Sequence, residues 1–249
     1  MKTRAFALFM TLLAPGLVLA AGGPAIELDK ADIDLGNKAS LQRGAKYFVN
    51  YCMGCHSLEY SRYNRVAADL EIPEDLVQEN LIFTRDRKGE LHKVGEKMEI
   101  AMDPVDAAEW FGAAPPDLTL NARVNGPDYL YTYLRTFYVD PSRPLGVNNL
   151  AYPNVGMPHA LWPLQGWQEK VVEVDEDGHE QTRLELVQAG TLTPAEYDKV
   201  VRDIVAFLTY VAEPAKLERY RLGVWVLLFL GFFFVFAYYL KKEYWKDVH

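Results

Sequence analysis

Apolar positions along the chain change their period several times, and each change marks an element. Leu41, Ala45, Phe48 and Cys52 fall at i, i+4, i+7 and i+11, one stripe of a helix that starts near Ser40. Tyr197, Val201, Ile204, Leu208 and Val211 form a second stripe. It follows Thr193-Pro194-Ala195-Glu196, a capping box with proline at the first helical position, and Pro214 marks its end. These two helices are expected to pack together. Residues 128–138 predict a further, aromatic-rich helix. Val171–Val174 and Leu184–Val187 alternate around Asp177-Gly178, the pattern of a hairpin.

The segments between are less regular. Residues 66–109 are polar and mixed, and Glu71, Glu74, Asp75 and Glu79 read as a solvated face. Met98 and Met102, four apart, suit one face of a short helix turned to the core. In Gly112–Leu118, Pro115 and Pro116 fix φ and remove two amide donors, which makes the stretch a rigid extended wall, with Asp117 placed to cap the next element. Residues 140–170, broken by Pro141, Pro144, Pro153, Pro158 and Pro163, predict a long loop of the kind that serves a site.

The two ends have their own signatures. Residues 1–21 carry Lys2 and Arg4, an apolar run and small residues around Ala20 and Ala21, as in a cleaved export signal. Leu222–Leu240 is a stretch of 19 residues without a charge, long enough to span roughly 28 Å as a helix. Arg219, Tyr220 and Arg221 flank one end; Tyr238, Tyr239, Lys241, Lys242, Tyr244 and Trp245 flank the other. The expected organisation is therefore a signal at 1–21, an exported domain at 22–215 and a membrane anchor at 216–249, with the domain outside and the last residues in the cytoplasm. Without residues 1–21 and 241–249 the chain carries about −11, counting histidines as neutral. Such a surface suits a basic protein partner and does not suit nucleic acid.

Chemistry concentrates at Cys52-Met53-Gly54-Cys55-His56, the chain's two cysteines among them. The spacing C-x-x-C-H is the attachment signature of a c-type haem. Positions i, i+3 and i+4 of a helical turn share a face, so both thiols and the imidazole can meet one porphyrin. A zinc site needs four ligands, and no second pair with finger spacing is present. A thioredoxin-type pair needs a βαβ context, and none surrounds the motif. Tyr60 and Tyr63 come close behind, as haem-edge contacts or as ordinary half-buried tyrosines.

A sixth ligand to the iron decides what such a centre does. His/Met ligation raises the potential, whereas an open face permits gas binding or peroxidase chemistry. Met53 lies inside the attachment loop, and Met98 and Met102 read as core. Met157, between Gly156 and Pro158, is the preferred candidate, with His159 as its rival. Arg123, a lone cation in an uncharged stretch, is a candidate partner for a haem propionate.

Cys52–His56 with Ser57-Leu58-Glu59-Tyr60 directly after it, then Ala114-Pro115-Pro116-Asp117-Leu118, Gly156-Met157-Pro158 and Ala212-Glu213-Pro214 before a terminal anchor, resembles the cytochrome c1 family. The resemblance covers essentially the whole chain after the signal. It implies a mainly α fold: a class I cytochrome c-like haem domain with long loop insertions, plus one C-terminal transmembrane helix. It implies one covalent haem c on Cys52 and Cys55, with His56 and Met157 on the iron. Pro115 and Pro116 become the family's wall, and Arg123 and Tyr129 further haem contacts. The stretch from Asp117 to Tyr129 is shorter here than in relatives, and Trp110-Phe111-Gly112 stands where many carry Asn-Gly. No second cysteine pair of the kind some bacterial relatives bridge is present.

The implied activity is one-electron relay in a ubiquinol–cytochrome c reductase of a respiratory chain. Cytochrome b and a Rieske iron–sulfur protein would be companions, and a soluble or tethered c-type cytochrome the acceptor. The complex is expected to be dimeric and to sit in a bacterial-type inner membrane, haem domain on the periplasmic side. Two other classes compete: a monohaem carrier feeding another terminal oxidase or reductase, and a haem enzyme or gas sensor with an open distal face.

Overall fold

The computed structural model describes residues 26–86, 88–174 and 180–247. The export signal expected at 1–21 and the Asp177-Gly178 turn lie outside them.

The centre of the molecule is one helix crossing. Helix α1 (Lys38–Tyr51) starts where the Asn37 side chain accepts from Ser40 N, at 3.1 Å. It buries Leu41, Ala45 and Phe48, the stripe expected of it. Near the other end of the domain, Pro194–Ala212 is the capped helix, its Thr193 N donating to Glu196 Oε2 at 2.9 Å. Tyr197, Val201, Ile204, Leu208 and Val211 are all buried on it. The two helices meet at Gly44, where an added Cβ would come within 2.1 Å of the Asp203 carbonyl oxygen and 2.7 Å of Phe207 Cβ. Only a residue without a side chain permits that approach. Phe48 and Phe207 pack beside it with ring centroids 5.8 Å apart, and Arg43 Nε pairs with Asp203 Oδ2 at 2.6 Å.

Short elements wrap this crossing. After α1 come β1 (Leu58–Arg62), α2 (Tyr63–Leu70), α3 (Glu74–Asn80), β2 (Lys97–Met98), α4 (Pro104–Phe111), α5 (Asn121–Asn125) and α6 (Pro127–Arg135). Next are β3 (Phe137–Val139), β4 (Val147–Asn149), α7 (Trp162–Gln165), β5 (Gly166–Val174) and β6 (Glu180–Ala189). The capped helix Pro194–Ala212 is α8, and α9 (Lys216–Tyr244) closes the chain. Sheets among the described residues are antiparallel pairs: β1 with β2, β3 with β4, β5 with β6. Helix is the most abundant regular structure among the described residues.

Several local expectations are corrected. Met98 is on strand β2, opposite Leu58, and buried, while Met102 lies before α4 and is half-buried. The two share no helical face, because Asp103 caps a new helix at Pro104 through Val105 N, at 2.8 Å. The aromatic helix stops at Arg135, since Phe137–Val139 alternates against Val147–Asn149 as a strand. The 140–170 segment is more ordered than a loop, containing β4, α7 and the start of β5. Gly166 opens that strand five residues earlier than the alternation suggests, at φ +94° with its would-be Cβ 2.0 Å from Gln188 O. Residues 66–109 contain α3, β2 and most of α4, with Val66, Ala67, Leu70, Val77 and Ile82 buried, although Glu71, Glu74, Asp75 and Glu79 are indeed exposed.

Helix α9 is 29 residues long, with a mean hydropathy of 2.2 in its most apolar window and none of that window buried. By length and composition it can cross a membrane.

Candidate functional site

The attachment turn grows out of the end of α1. Cys52 N and Met53 N both donate to Phe48 O, at 2.8 and 3.0 Å, and the chain then tightens again. Cys55 N and His56 N both donate to Cys52 O, at 3.0 and 2.9 Å. Cys52, Cys55 and His56 are thus carried on one closed turn. Met53 points the other way into the core, 1% exposed, its sulfur accepting from Tyr63 Oη at 3.6 Å. Of the two tyrosines behind the motif, Tyr63 is fully buried core and Tyr60 is exposed. Burial, with Cys55 adding, pushes the Cys52 thiol up to about 12, so in the unmodified chain it stays protonated at neutral pH.

His56 is buried, and its Nδ1 lies 2.8 Å from the carbonyl oxygen of Pro116. A carbonyl only accepts, so Nδ1 carries the proton and Nε2 keeps its lone pair. Burial holds the imidazole below its ordinary pKa, against the opposing pull of Pro116 O and Asp117. A neutral ring with one nitrogen committed to a carbonyl and the other available is the arrangement that metal-ligating histidines show.

Pro116 is presented by an extended wall sewn to the start of β1. Leu118 N donates to Ser57 O at 3.0 Å, and Asp117 Oδ2 accepts from Glu59 N at 2.8 Å. Asp117 Oδ1 accepts from Thr119 N, also at 2.8 Å. Asp117 therefore binds the wall to β1 and does not cap α5, whose preceding residue is Leu120.

Met157 is held at a separate place. It packs with Phe137, Val147, Val155, Tyr133 and Trp167, and its sulfur accepts from the Tyr133 hydroxyl at 3.5 Å. Burial, then Tyr129 and Tyr152, raise the Tyr133 phenol far above its ordinary pKa, so it remains a donor. Tyr129 stacks on Tyr133, centroids 6.1 Å apart at 25°. The loop that delivers Met157 is tied by two asparagine side chains. Asn148 Oδ1 accepts from Asn149 N and Asn154 N; Asn149 Oδ1 accepts from Ala151 N and Tyr152 N. Asn149 Nδ2 donates to Tyr133 O at 2.8 Å, which fixes the loop to α6.

The rival, His159, lies flat on Phe137, 4.9 Å between centroids at 7°, with Trp167 edge-on to it at 5.9 Å. Its Nε2 is buried without a hydrogen-bond partner. Burial pushes its pKa down to about 4, with Gln165 opposing, so the ring is neutral.

Cys52, Tyr129 and Tyr133 border one hydrophobic core, and Tyr133 also borders the cluster that holds Met157. The structure thereby brings together His56 with Pro116, and Met157 with Tyr133 and Tyr129. Arg123 stands apart: it is exposed on α5, and its charge helps to lower Glu213 at the foot of α9, where the Arg219 hydrogen bond dominates. Among the described residues no hydrogen bond or ion pair joins Arg123 to His56, Met157 or Tyr129. Sequence reasoning missed Tyr133, Asn148, Asn149 and the Pro116 carbonyl. The i, i+4 pair Tyr129/Tyr133 and the doublet Asn148-Asn149 were the available signals.

A turn with two thiols and one ligand-ready imidazole, on a helical domain with a terminal apolar helix, defines a c-type cytochrome with an anchor. The cytochrome C1 family model matches residues 33–248. A cytochrome c1 of Allochromatium vinosum is 56% identical over 241 residues, 96% of each chain. A Nitrosomonas europaea protein named ammonia monooxygenase gamma subunit is 46% identical over 249 residues, the whole of both chains. A cytochrome c1 of Rhodospirillum rubrum is 30% identical over 280 residues, 95% of this chain and 96% of that one.

The chain belongs to the cytochrome c1 family. It is the haem c subunit of a cytochrome bc1 complex, a membrane-anchored electron-transfer subunit alongside cytochrome b and the Rieske protein. It carries covalently bound haem c, with Cys52 and Cys55 set as in the C-x-x-C-H motif.

Proposed function

We propose that this chain accepts one electron from the Rieske protein and hands it to a soluble or tethered c-type cytochrome, with His56 and Met157 as the two iron ligands. Haem c, when bound, supplies the one-electron Fe³⁺/Fe²⁺ couple. The observation that carries the reading is the His56 Nδ1–Pro116 O contact of 2.8 Å, which presets the tautomer an iron needs. Cys52 and Cys55 form the two thioethers. Pro115 and Pro116 hold the wall on the His56 side, and Tyr129 backs Tyr133 on the Met157 side. Arg123 is the candidate for a propionate.

The domain adopts the class I cytochrome c arrangement, with α1 and α8 crossing as its first and last helices. Residues 1–21 are removed on export, 22–215 form the periplasmic domain, and 216–249 anchor it, with a span near 222–240 and a cytoplasmic C-terminus in an inner membrane. The complex is a dimer. Nothing in the proposed role asks the chain to move protons; its residues set potential, distance and docking.

A redox titration of the haem-loaded full chain in detergent tests the reading. A clearly positive midpoint with a single one-electron step is expected. A strongly negative midpoint, or carbon monoxide binding to the reduced intact protein, overturns the His56/Met157 pair and favours a second histidine or an open face.

A further inference from the structure

Tyr133 is joined to the Met157 loop at both of its ends. Its phenol oxygen donates to Met157 Sδ at 3.5 Å, within the range for a hydroxyl on sulfur. Its backbone carbonyl accepts from Asn149 Nδ2 at 2.8 Å, and the same Asn149 holds Ala151 N and Tyr152 N through its oxygen, at 2.9 and 3.1 Å. The ring between these ends has little freedom. Tyr129 stacks on one side of it, and the Phe137 ring meets it edge-on, at 5.3 Å and 76°. Phe137 is itself held by the parallel His159 ring. An aromatic stack with an amide brace thus aims one O–H at one sulfur.

A thioether sulfur has two lone pairs. One can take a proton donor while the other faces a metal, so the contact and an axial role are compatible. A donor on the first pair withdraws electron density from the sulfur, which disfavours the oxidised, more electron-demanding iron. It also restrains the side chain against displacement.

We propose that Tyr133 is a positioning residue for the electron-transfer centre: its hydroxyl holds Met157 by a hydrogen bond to sulfur and raises the midpoint of the haem. The proposal rests on Met157 being the second iron ligand. The residue acts through Met157, so removing the hydroxyl alone should move the potential while sparing fold, haem content and ligation.

The test uses the full chain with haem attached, in detergent, comparing wild type, Tyr133→Phe and Met157→Leu. Three readouts are taken: the midpoint, the long-wavelength sulfur-to-ferric-iron charge-transfer band, and the rate at which added cyanide binds the oxidised protein. Tyr133→Phe is expected to keep the band. Its ratio of reduced to oxidised haem at a fixed applied potential should fall about threefold, roughly 28 mV at 59 mV per tenfold. Cyanide should bind it several-fold faster. An unchanged midpoint and cyanide rate in Tyr133→Phe, with the band lost in Met157→Leu, overturns the role of Tyr133 and leaves Met157 as ligand. A band that survives in Met157→Leu overturns the ligand reading itself, and the proposal with it.

Discussion

His56 and Met157 are positioned by opposite means. On the His56 side both partners are main-chain pieces: a closed turn at the end of α1, and a proline wall whose carbonyl meets the ring and which Leu118 N and the Asp117 carboxylate join to β1. On the Met157 side the backbone is irregular, and the positioning falls to the side chains of Asn148, Asn149, Tyr133 and Phe137. A group held by backbone is insensitive to most substitutions around it. A group held by side chains can be tuned residue by residue, and it can also be lost that way. If this contrast is right, substitutions on the Met157 side should move both potential and stability, and those on the His56 side should move stability alone.

The sharpest break is Met157→Leu. The covalent haem should remain, and the midpoint should fall by more than about 59 mV, tenfold in the one-electron equilibrium; a titration with unchanged potential would sink the ligand assignment. Asn149→Ala comes next. It removes a buried side chain that serves Tyr133 O, Ala151 N and Tyr152 N, which should cost about 3 kcal/mol in denaturant unfolding. The midpoint should shift with it, and a stability loss without any shift would argue that the loop and the iron are independent. On the other side, Asp117→Ala frees Glu59 N and Thr119 N and should cost about 1–2 kcal/mol. Its midpoint should stay close to wild type, and a large shift there would erase the contrast. The smallest effect is expected from Pro116→Ala, about 0.5–1 kcal/mol through a freer unfolded chain. The carbonyl that His56 uses survives that change, so the haem spectrum should be unaltered.

The same contrast explains what could be read from the sequence. The attachment turn and the wall are contiguous motifs, so Cys52, Cys55, His56, Pro115 and Pro116 were legible from spacing and from the restrictions proline imposes. The two long helices were legible because their stripes run for several turns and one carries a capping box. Met157 was chosen by elimination among methionines, and what holds it was not visible. Asn149 reaches Tyr133 across 16 positions and Tyr133 reaches Met157 across 24, and no local period encodes such contacts. The three-residue strand Phe137–Val139 was hidden in an aromatic run that continues the helix pattern. Met98 and Met102 misled for a related reason, since a spacing of four also fits a strand leading into a turn. Arg123 was chosen as the lone cation of its stretch; it lies exposed, with its charge acting on Glu213.

The crossing at Gly44 has a consequence in time. Arg43 and Asp203, which pair there, are separated by 160 residues. At a synthesis rate of about 5–20 residues per second, α8 emerges after α1 by roughly 8–30 s. During that interval the Leu41–Ala45–Phe48 stripe has no partner helix, and the turn with both thiols hangs from its end. Closing so long a loop is among the slowest contacts a chain of this size can make. The last helix of the domain to be made thus completes a structure begun around the first, and the cysteines stand ahead of that closure.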